Sequence, residues 1–475
     1  MNTIGQQKKS TQQRRVSRRR FIKAGLATAA FTAASWSRVF GANERIGIGI
    51  IGFGLIGRIH ARNLKAQSDA QIVGVAETYG PRLRAAAELI GGNPAQYGDF
   101  RRLLDNKAVD AVVVATPDHW HALMTMMACA VGKDVYVEKP LTVFVREGRW
   151  MVDSARRHKR VMQVGTQQRS GAHYQKAREL IRGGRLGQLV SVQCNFFRNV
   201  SPGFGNPPDG NPPADLDYDL WLGPAPKRAY NPNRSLYHFR WFWDYSGGQM
   251  TNLGAHSLDI VHWVTGIKGP MAVSSAGGRL FLKDNCEVPD VQDALIEYPS
   301  FQTVCQLREC AAGFSKTGMG GLEFQGNKGT MSLRRDGYEI VSDKKENPAN
   351  IVARIIGGQP IGGPQPVPEP ETGAHFWTEP EKDTSGDSKD QYVQHTRNFL
   401  ECIKSRKEPN SDLESSHRVA TVCHLANISL RIGRKIRWDA EKEQIIGDAE
   451  AAKMLVRPYR NPWDAELKAL RSTLG

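Results

Sequence analysis

The chain has 475 residues, 40% of them hydrophobic and 24% charged, and carries a formal charge of +16. That length exceeds one compact core, so two domains are expected, and the composition is that of an ordinary globular protein. Nine Lys or Arg and no Asp or Glu fall in residues 1–42; without them the excess drops to about +7, and no basic stripe with interleaved aromatics remains, so nucleic acid is not an expected partner.

Residues 1–42 read as an address and not a fold element. Ser17, Arg18, Arg19, Arg20, Phe21, Ile22 and Lys23 resemble a twin-arginine export motif. The alanine- and threonine-rich run from Ala24 to Trp36 is shorter than the roughly 20 residues of a bilayer span. Cleavage is expected between Ser35 and Ala42. The expectation is a periplasmic protein handled by the twin-arginine machinery, with no stable membrane anchor.

A short apolar run, Arg45 to Ile51, suits a buried parallel strand and leads into Gly52-Phe53-Gly54-Leu55-Ile56-Gly57, a G-x-G-x-x-G turn. The segment from Arg58 to Ala66 then reads as a helix. Gly52 permits the tight turn, Gly54 lets backbone amides approach a pyrophosphate, and Gly57 lets helix and strand pack closely. The amides at the helix start supply partial positive charge for phosphate. A second run, Gln71 to Ala76, ends in Glu77, whose carboxylate can accept from ribose hydroxyls and repels a 2′-phosphate. NAD is therefore the expected cofactor, with NADP left as the alternative because Arg82 lies nearby. Strands at Asp110 to Ala115, Asp134 to Val137 and Val161 to Val164 alternate with a helix at 121–131 and one that Thr142 could cap. Ligands bind at the carboxyl edge of such a doubly wound sheet, where Thr116-Pro117 and Glu138-Lys139-Pro140 fall.

The second half is read as a larger, mostly antiparallel sheet. Its strands are expected at Leu189 to Phe197, Met271 to Phe281, Val291 to Glu297, Gln302 to Leu307, Gly321 to Phe324 and Gly329 to Leu333. Residues 201–215 and 345–390 read as long loops, 389–405 and 412–433 as helices. The Arg457 to Trp463 tail is expected to pack back on the body. The fold class is α/β: a Rossmann domain over 43–166, an α+β domain over 167–440 and a C-terminal arm over 441–475. An exposed sheet face favours a homo-oligomer. The seven cysteines, Cys129, Cys194, Cys286, Cys305, Cys310, Cys402 and Cys423, show no C-x-x-C spacing and read as buried thiols. No grouped Cys/His set suggests a metal.

Residues 249–264 read as one helix closed by Gly266, with Asn252, His256 and Asp259 on a single stripe at i, i+4, i+7. Polar side chains on a mostly buried helix should face a cavity or a partner. Arg169, and Arg240 and Trp243 in the aromatic run before this helix, are candidate substrate contacts together with Asp259.

These motifs together resemble the glucose–fructose oxidoreductase / inositol dehydrogenase / MocA family. The resemblance rests on Gly52, Gly54, Gly57, Glu77, the Thr116-Pro117 to His121 turn, Glu138-Lys139-Pro140, and Gly247-Gly248 followed by Asn252, Gly254, His256 and Asp259. It covers about residues 44–440. It implies a nicotinamide enzyme acting on a sugar or cyclitol hydroxyl or the matching carbonyl. Lys139 is then the catalytic lysine, its bond to Pro140 cis, and His256 the catalytic histidine. Asn252 stands where many members carry aspartate, which departs from an Asp–His relay. Thr116, Pro117, His121 and Glu138 are assigned to the cofactor. An exported enzyme of this kind must carry its nicotinamide tightly bound and restore it with a second substrate. Two other classes stay open: an NAD-dependent glycosidase working by transient oxidation and elimination, and a non-catalytic sugar- or nucleotide-binding homologue.

Overall fold

The computed structural model describes residues 45–313, 320–345, 357 and 376–474. The segment expected to be an export address and most of the expected loop over 345–390 lie outside the described residues.

The first sheet is parallel and six-stranded: β1 Ile46–Ile51, β2 Ala70–Ala76, β3 Ala95–Tyr97, β4 Ala111–Val114, β5 Asp134–Val137 and β6 Met162–Val164, in the order β3-β2-β1-β4-β5-β6. Every residue of β1, β4, β5 and β6 is buried, because helices cover both faces. Helices α1 (Leu55–Lys65), α2 (Gly80–Ile90), α3 (Phe100–Leu104), α4 (His121–Ala130) and α5 (Val145–His158) connect these strands. The order reverses between β1 and β4, so their carboxyl ends frame a crevice. Phe144, not Thr142, is the N-cap residue of α5; the Thr142 hydroxyl instead meets His424 Nε2 at 3.1 Å.

A ten-stranded sheet dominates the second half. Its strands are β7 Leu189–Phe197, β8 Ala272–Gly278, β9 Val291–Glu297, β10 Gln302–Arg308, β11 Gly321–Gly326, β12 Thr330–Arg334, β13 Gly337–Val341, β14 Glu381–Asp383, β15 Ile436–Asp439 and β16 Gln444–Ile445. The order is β14-β13-β12-β11-β7-β10-β9-β8-β15-β16, with only β7 and β10 running parallel. Inward residues alternate along β9 to β13 and form one core with helices α6 (Ala172–Arg182), α9 (Gly254–Thr265) and α11 (Leu413–Ile432), while the short α7 (Tyr218–Leu222) adds Leu220 to the core of the first half. The fold is therefore the expected α/β Rossmann sheet followed by a mixed, mostly antiparallel sheet.

The two halves are sewn together by the end of the chain. Helix α10 (Ser388–Ser405) returns to the first sheet, where Phe399, Leu400, Cys402 and Ile403 join the cluster of Ile46, Ile48 and Ile50. Arg397 and Lys404 on α10 both bind Asp69, holding its carboxyl well below the usual range. The tail packs back as expected: Trp463 sits against Phe100 and Trp120, and the Tyr459 hydroxyl donates to Glu147 Oε1 at 2.7 Å. All seven cysteines are free thiols, six of them buried.

Candidate active site

The glycine turn after β1 is fixed by steric exclusion. Gly52 has φ +91°, a region costly for any residue with a Cβ. A Cβ on Gly57 would lie 2.3 Å from the Gly52 carbonyl oxygen, so α1 can seat against the strand only with glycine there. A Cβ on Gly54 would meet nothing nearer than Arg82 Nη1 at 3.7 Å, which leaves the backbone open to a ligand. Helix α1 has no side-chain cap, so its first amides are free for an anion.

Glu77 does two things at once. Its Oε2 accepts from the Phe53 amide at 2.8 Å and its Oε1 from the Tyr79 amide at 3.1 Å, bracing the glycine turn against the end of β2. It also lines a crevice with Gly52, Gly54, Thr116, Pro117 and Arg240. Leu236, Tyr237 and Phe239 roof this cavity from the second half, and Arg82 Nη2 ties the roof down by donating to the Leu236 carbonyl at 3.1 Å. Thr116 Oγ1 is buried in the wall without a partner. A crevice with free helix-end amides, a bare glycine backbone, a carboxylate at the end of β2 and an orphaned hydroxyl fits a dinucleotide.

At the next strand end, the Lys139-Pro140 bond is cis. Lys139 Nζ donates to the backbone oxygen of Asn252 at 3.1 Å and to its Oδ1 at 2.9 Å. An ammonium has three donors and a neutral amine two. The two Asn252 oxygens therefore leave one tetrahedral position of Nζ uncommitted. Burial, with the charges of Arg240 and Arg335, lowers the Lys139 pKa to about 8, while Glu138 and Asp118 act the other way. His256 is buried, its Nδ1 has no partner, and burial together with Lys139 and Arg335 drives its pKa well below 6.5. That direction favours the neutral imidazole, which suits a hydrogen-bonding partner. Lys139 and Asn252 thus meet across the two halves of the chain, with His256 near enough to feel the lysine's charge.

Other expected residues are placed differently. Residues 249–264 form two helices, α8 (Gly248–Asn252) and α9, parted at Leu253, where the His256 amide reaches back only three residues. Arg169 and Asp259 do not line the nucleotide crevice: Arg169 Nη2 and Nε donate to Asp259 Oδ1 and Oδ2 at 2.6 and 2.9 Å, both side chains are 1% exposed, and Asp259 lines a smaller pocket that Lys139 also lines. The polar stripe is real, but its last member is satisfied by an arginine. Glu138 Oε1 meets His60 Nε2 at 2.8 Å and accepts from Gln167 Nε2 at 3.2 Å, so the carboxylate is braced within the protein at the strand end. His121 links two carbonyl oxygens, Pro140 at 2.7 Å and Thr116 at 2.9 Å, joining the two loops at the sheet edge. Arg240 lines the cavity, whereas Trp243 lies under Arg431 and away from it. Among the described residues no group of three His, Cys, Asp or Glu can hold a metal, and no helix is long and apolar enough to cross a membrane.

Sequence reasoning missed the support behind Asn252. Its Nδ2 donates to Gln249 Oε1 at 3.0 Å, Gln249 Nε2 donates to Glu309 Oε1 at 2.6 Å, and Glu309 is gripped by Arg198 through Nε and Nη2 at 2.7 and 2.6 Å. Glu309 follows β10, far along the chain, so no local pattern could have announced it.

Residues 46–166 match the family model described as an oxidoreductase family, NAD-binding Rossmann fold; residues 202–276 and 380–465 match its C-terminal alpha/beta domain. The chain belongs to the glucose–fructose oxidoreductase / inositol dehydrogenase / MocA family. Members similar to it include myo-inositol 2-dehydrogenase of Thermotoga maritima, 30% identical over 141 residues that make up 30% of this chain and 42% of the relative. The rhizopine catabolism protein MocA of Rhizobium meliloti is 27% identical over 222 residues, 47% of this chain and 58% of that one. The chain thus spans about half the length of the curated relatives it matches. Similar solved folds include the WlbA dehydrogenase from Bordetella pertussis, in complex with NADH and UDP-GlcNAcA. Its TM-score is 0.60 at 18% identity, over 83% of this chain and 99% of that one. Levoglucosan dehydrogenase, in complex with NADH and levoglucosan, gives the same TM-score, identity and coverage.

Proposed function

We propose that this chain is an exported NAD-dependent oxidoreductase that oxidises a ring hydroxyl of a sugar or cyclitol, or reduces the matching carbonyl. The observation that carries the reading is the Lys139 ammonium, half-buried at the edge of the first sheet, with two donors spent on Asn252 and one position left over. Gly52, Gly54, Gly57, Thr116 and Glu77 would hold the dinucleotide, and the carboxylate of Glu77 favours NAD over a 2′-phosphorylated cofactor. When bound, the nicotinamide supplies the hydride acceptor or donor.

The chain's own residues handle the proton. As the neutral amine, Lys139 keeps two N–H groups on Asn252 and turns its lone pair to the substrate hydroxyl, from which it takes the proton. In the reverse direction the ammonium donates that proton to the nascent alkoxide. Neutral His256, its Nδ1 unpartnered, fits a hydroxyl on the same substrate. Asn252 carries no charge, so it holds Lys139 in place without stabilising the ammonium as an aspartate would, which leaves the amine available near neutral pH. The inositol, rhizopine and sugar names among the relatives support a polyol substrate. The motif at Arg18 and Arg19 supports export with the nucleotide already bound, and a second sugar or carbonyl would then restore the cofactor.

The test is a panel of free sugars and cyclitols given to purified protein, with Lys139→Met beside it. Carbonyl product from the native chain and at least a hundredfold less from the variant would support the reading. Equal turnover by the two proteins would remove Lys139 from it.

A further inference from the structure

The side chains of Asn252, Gln249, Glu309 and Arg198 form one unbranched line of hydrogen bonds leading away from Lys139 Nζ. An amide can be turned end for end at almost no steric cost, since oxygen and NH₂ are of similar size. Two amides in series therefore have two self-consistent arrangements. One presents an oxygen to Lys139 and the other presents an NH₂. Which of them exists depends on the far end of the line.

Glu309 decides it. Its carboxylate accepts only, and Arg198 clamps both of its oxygens. Gln249 must then turn its NH₂ to Glu309 and its oxygen to Asn252, and Asn252 must turn its NH₂ to Gln249 and its oxygen to Lys139. The carboxylate is 5% exposed and Gln249 4%, so water offers little alternative partner. An aspartate at position 252 could not join this line, because it has no donor for Gln249 Oε1.

We propose that Glu309 and Gln249 are positioning residues that lock the amide of Asn252 with its oxygen toward Lys139, so that the lysine's lone pair is left for the substrate and not consumed by an amide NH₂. The inference rests on the reading of Lys139 as the proton-transfer group, but the lock itself is a property of the folded chain. Glu138, Asp118, Arg240, Arg335 and His256 also face Lys139 or act on its charge, and none of them changes when the amides turn.

Glu309→Gln removes the obligate acceptor and permits the reversed line. Asn252 can then present an NH₂ to Lys139, which disfavours the ammonium and occupies the lone pair. The experiment measures the titration of Lys139 in the nucleotide-loaded protein by competitive acylation at a series of pH values, read by peptide mass spectrometry, so no turnover is needed. Glu309→Gln is expected to lower the Lys139 midpoint by at least half a pH unit relative to the native chain. Gln249→Leu, which cuts the line one link nearer, serves if Glu309→Gln does not fold. In the Asn252→Ala background neither substitution should move the midpoint further. An unchanged midpoint in the single variants, or an equal shift in the Asn252→Ala background, overturns the proposal. Where turnover is measured too, kcat should fall about tenfold with the sugar KM unchanged. A native chain with no sugar turnover but with the titration behaviour above would refute the oxidoreductase reading and leave the lock standing.

Discussion

Replacing Asn252 by aspartate introduces the residue that the family resemblance leads one to expect there, and the structure predicts that it harms this chain at neutral pH. A carboxylate oxygen at the position of Oδ1 would lie 2.9 Å from Lys139 Nζ. At an effective dielectric of about 20, a pair at that distance attracts by about 6 kcal/mol before desolvation. Removing the carboxylate from water and facing it with Gln249 Oε1 takes back most of this. An opposite charge beside an ionisable group usually leaves a shift of about 1–3 pH units. A rise of about 1.5 units from the value of about 8 would cut the neutral amine at pH 7.5 from about a quarter to about one part in a hundred. Asn252→Asp should therefore oxidise its substrate about 25-fold more slowly at pH 7.5 and recover near pH 10. Steady-state rates across pH 6–10.5 read this directly. An acid limb at the native position in Asn252→Asp would refute the electrostatic argument.

For the native chain, oxidation should rise tenfold per pH unit up to about 8 and then level, while carbonyl reduction should fall above the same point, because one needs the amine and the other the ammonium. Asp259→Ala strips the buried Arg169 of its carboxylate partner and should cost about 3–5 kcal/mol in thermal or urea unfolding. The folded fraction should keep its sugar KM, whereas a raised KM would return Asp259 to the substrate. Gly57→Ala forces a Cβ to within 2.3 Å of the Gly52 oxygen and should cost about 1–3 kcal/mol and abolish nucleotide retention, as native mass spectrometry would show. Glu414 and Glu443, both bound to Arg149 of α5, have depressed carboxyl pKa values, Glu414 about 2. The stability they contribute is complete above their ordinary value near 4.5 and is lost as the pH falls through the folded values. Fluorescence-monitored unfolding should weaken between pH 4.5 and 2, and Arg149→Met should flatten that dependence.

The nucleotide half was legible because its physics is local. Buried parallel strands are unbroken apolar runs, and the G-x-G-x-x-G turn follows β1 at once. Strand β3 escaped because Ala95, Gln96 and Tyr97 carry no periodicity and lie at an edge. Strand β14 is equally short and pairs with β13 across a long excursion of the chain. At the site, Lys139, Asn252 and His256 were named from motif and stripe, but the stripe could not tell a cavity from a salt bridge. Asp259 falls on the stripe with Asn252 and His256, yet its pairing with Arg169 joins residues 90 positions apart and has no local signal. The His60 partner of Glu138 has no local signal, because a carboxylate at a strand end reads the same in sequence whatever it meets. The line through Gln249 and Glu309 depends on the return of β10 to the end of α8, which only the three-dimensional fold reveals.

The most direct measurement is a single-turnover experiment on the chain purified without added nucleotide. Native mass spectrometry should find one NAD retained per folded chain, and one oxidisable sugar should raise the absorbance at 340 nm by one equivalent, with no rise in Lys139→Met. A chain that carries no dinucleotide and takes none up, or a full equivalent reduced by Lys139→Met at the native rate, would contradict the account.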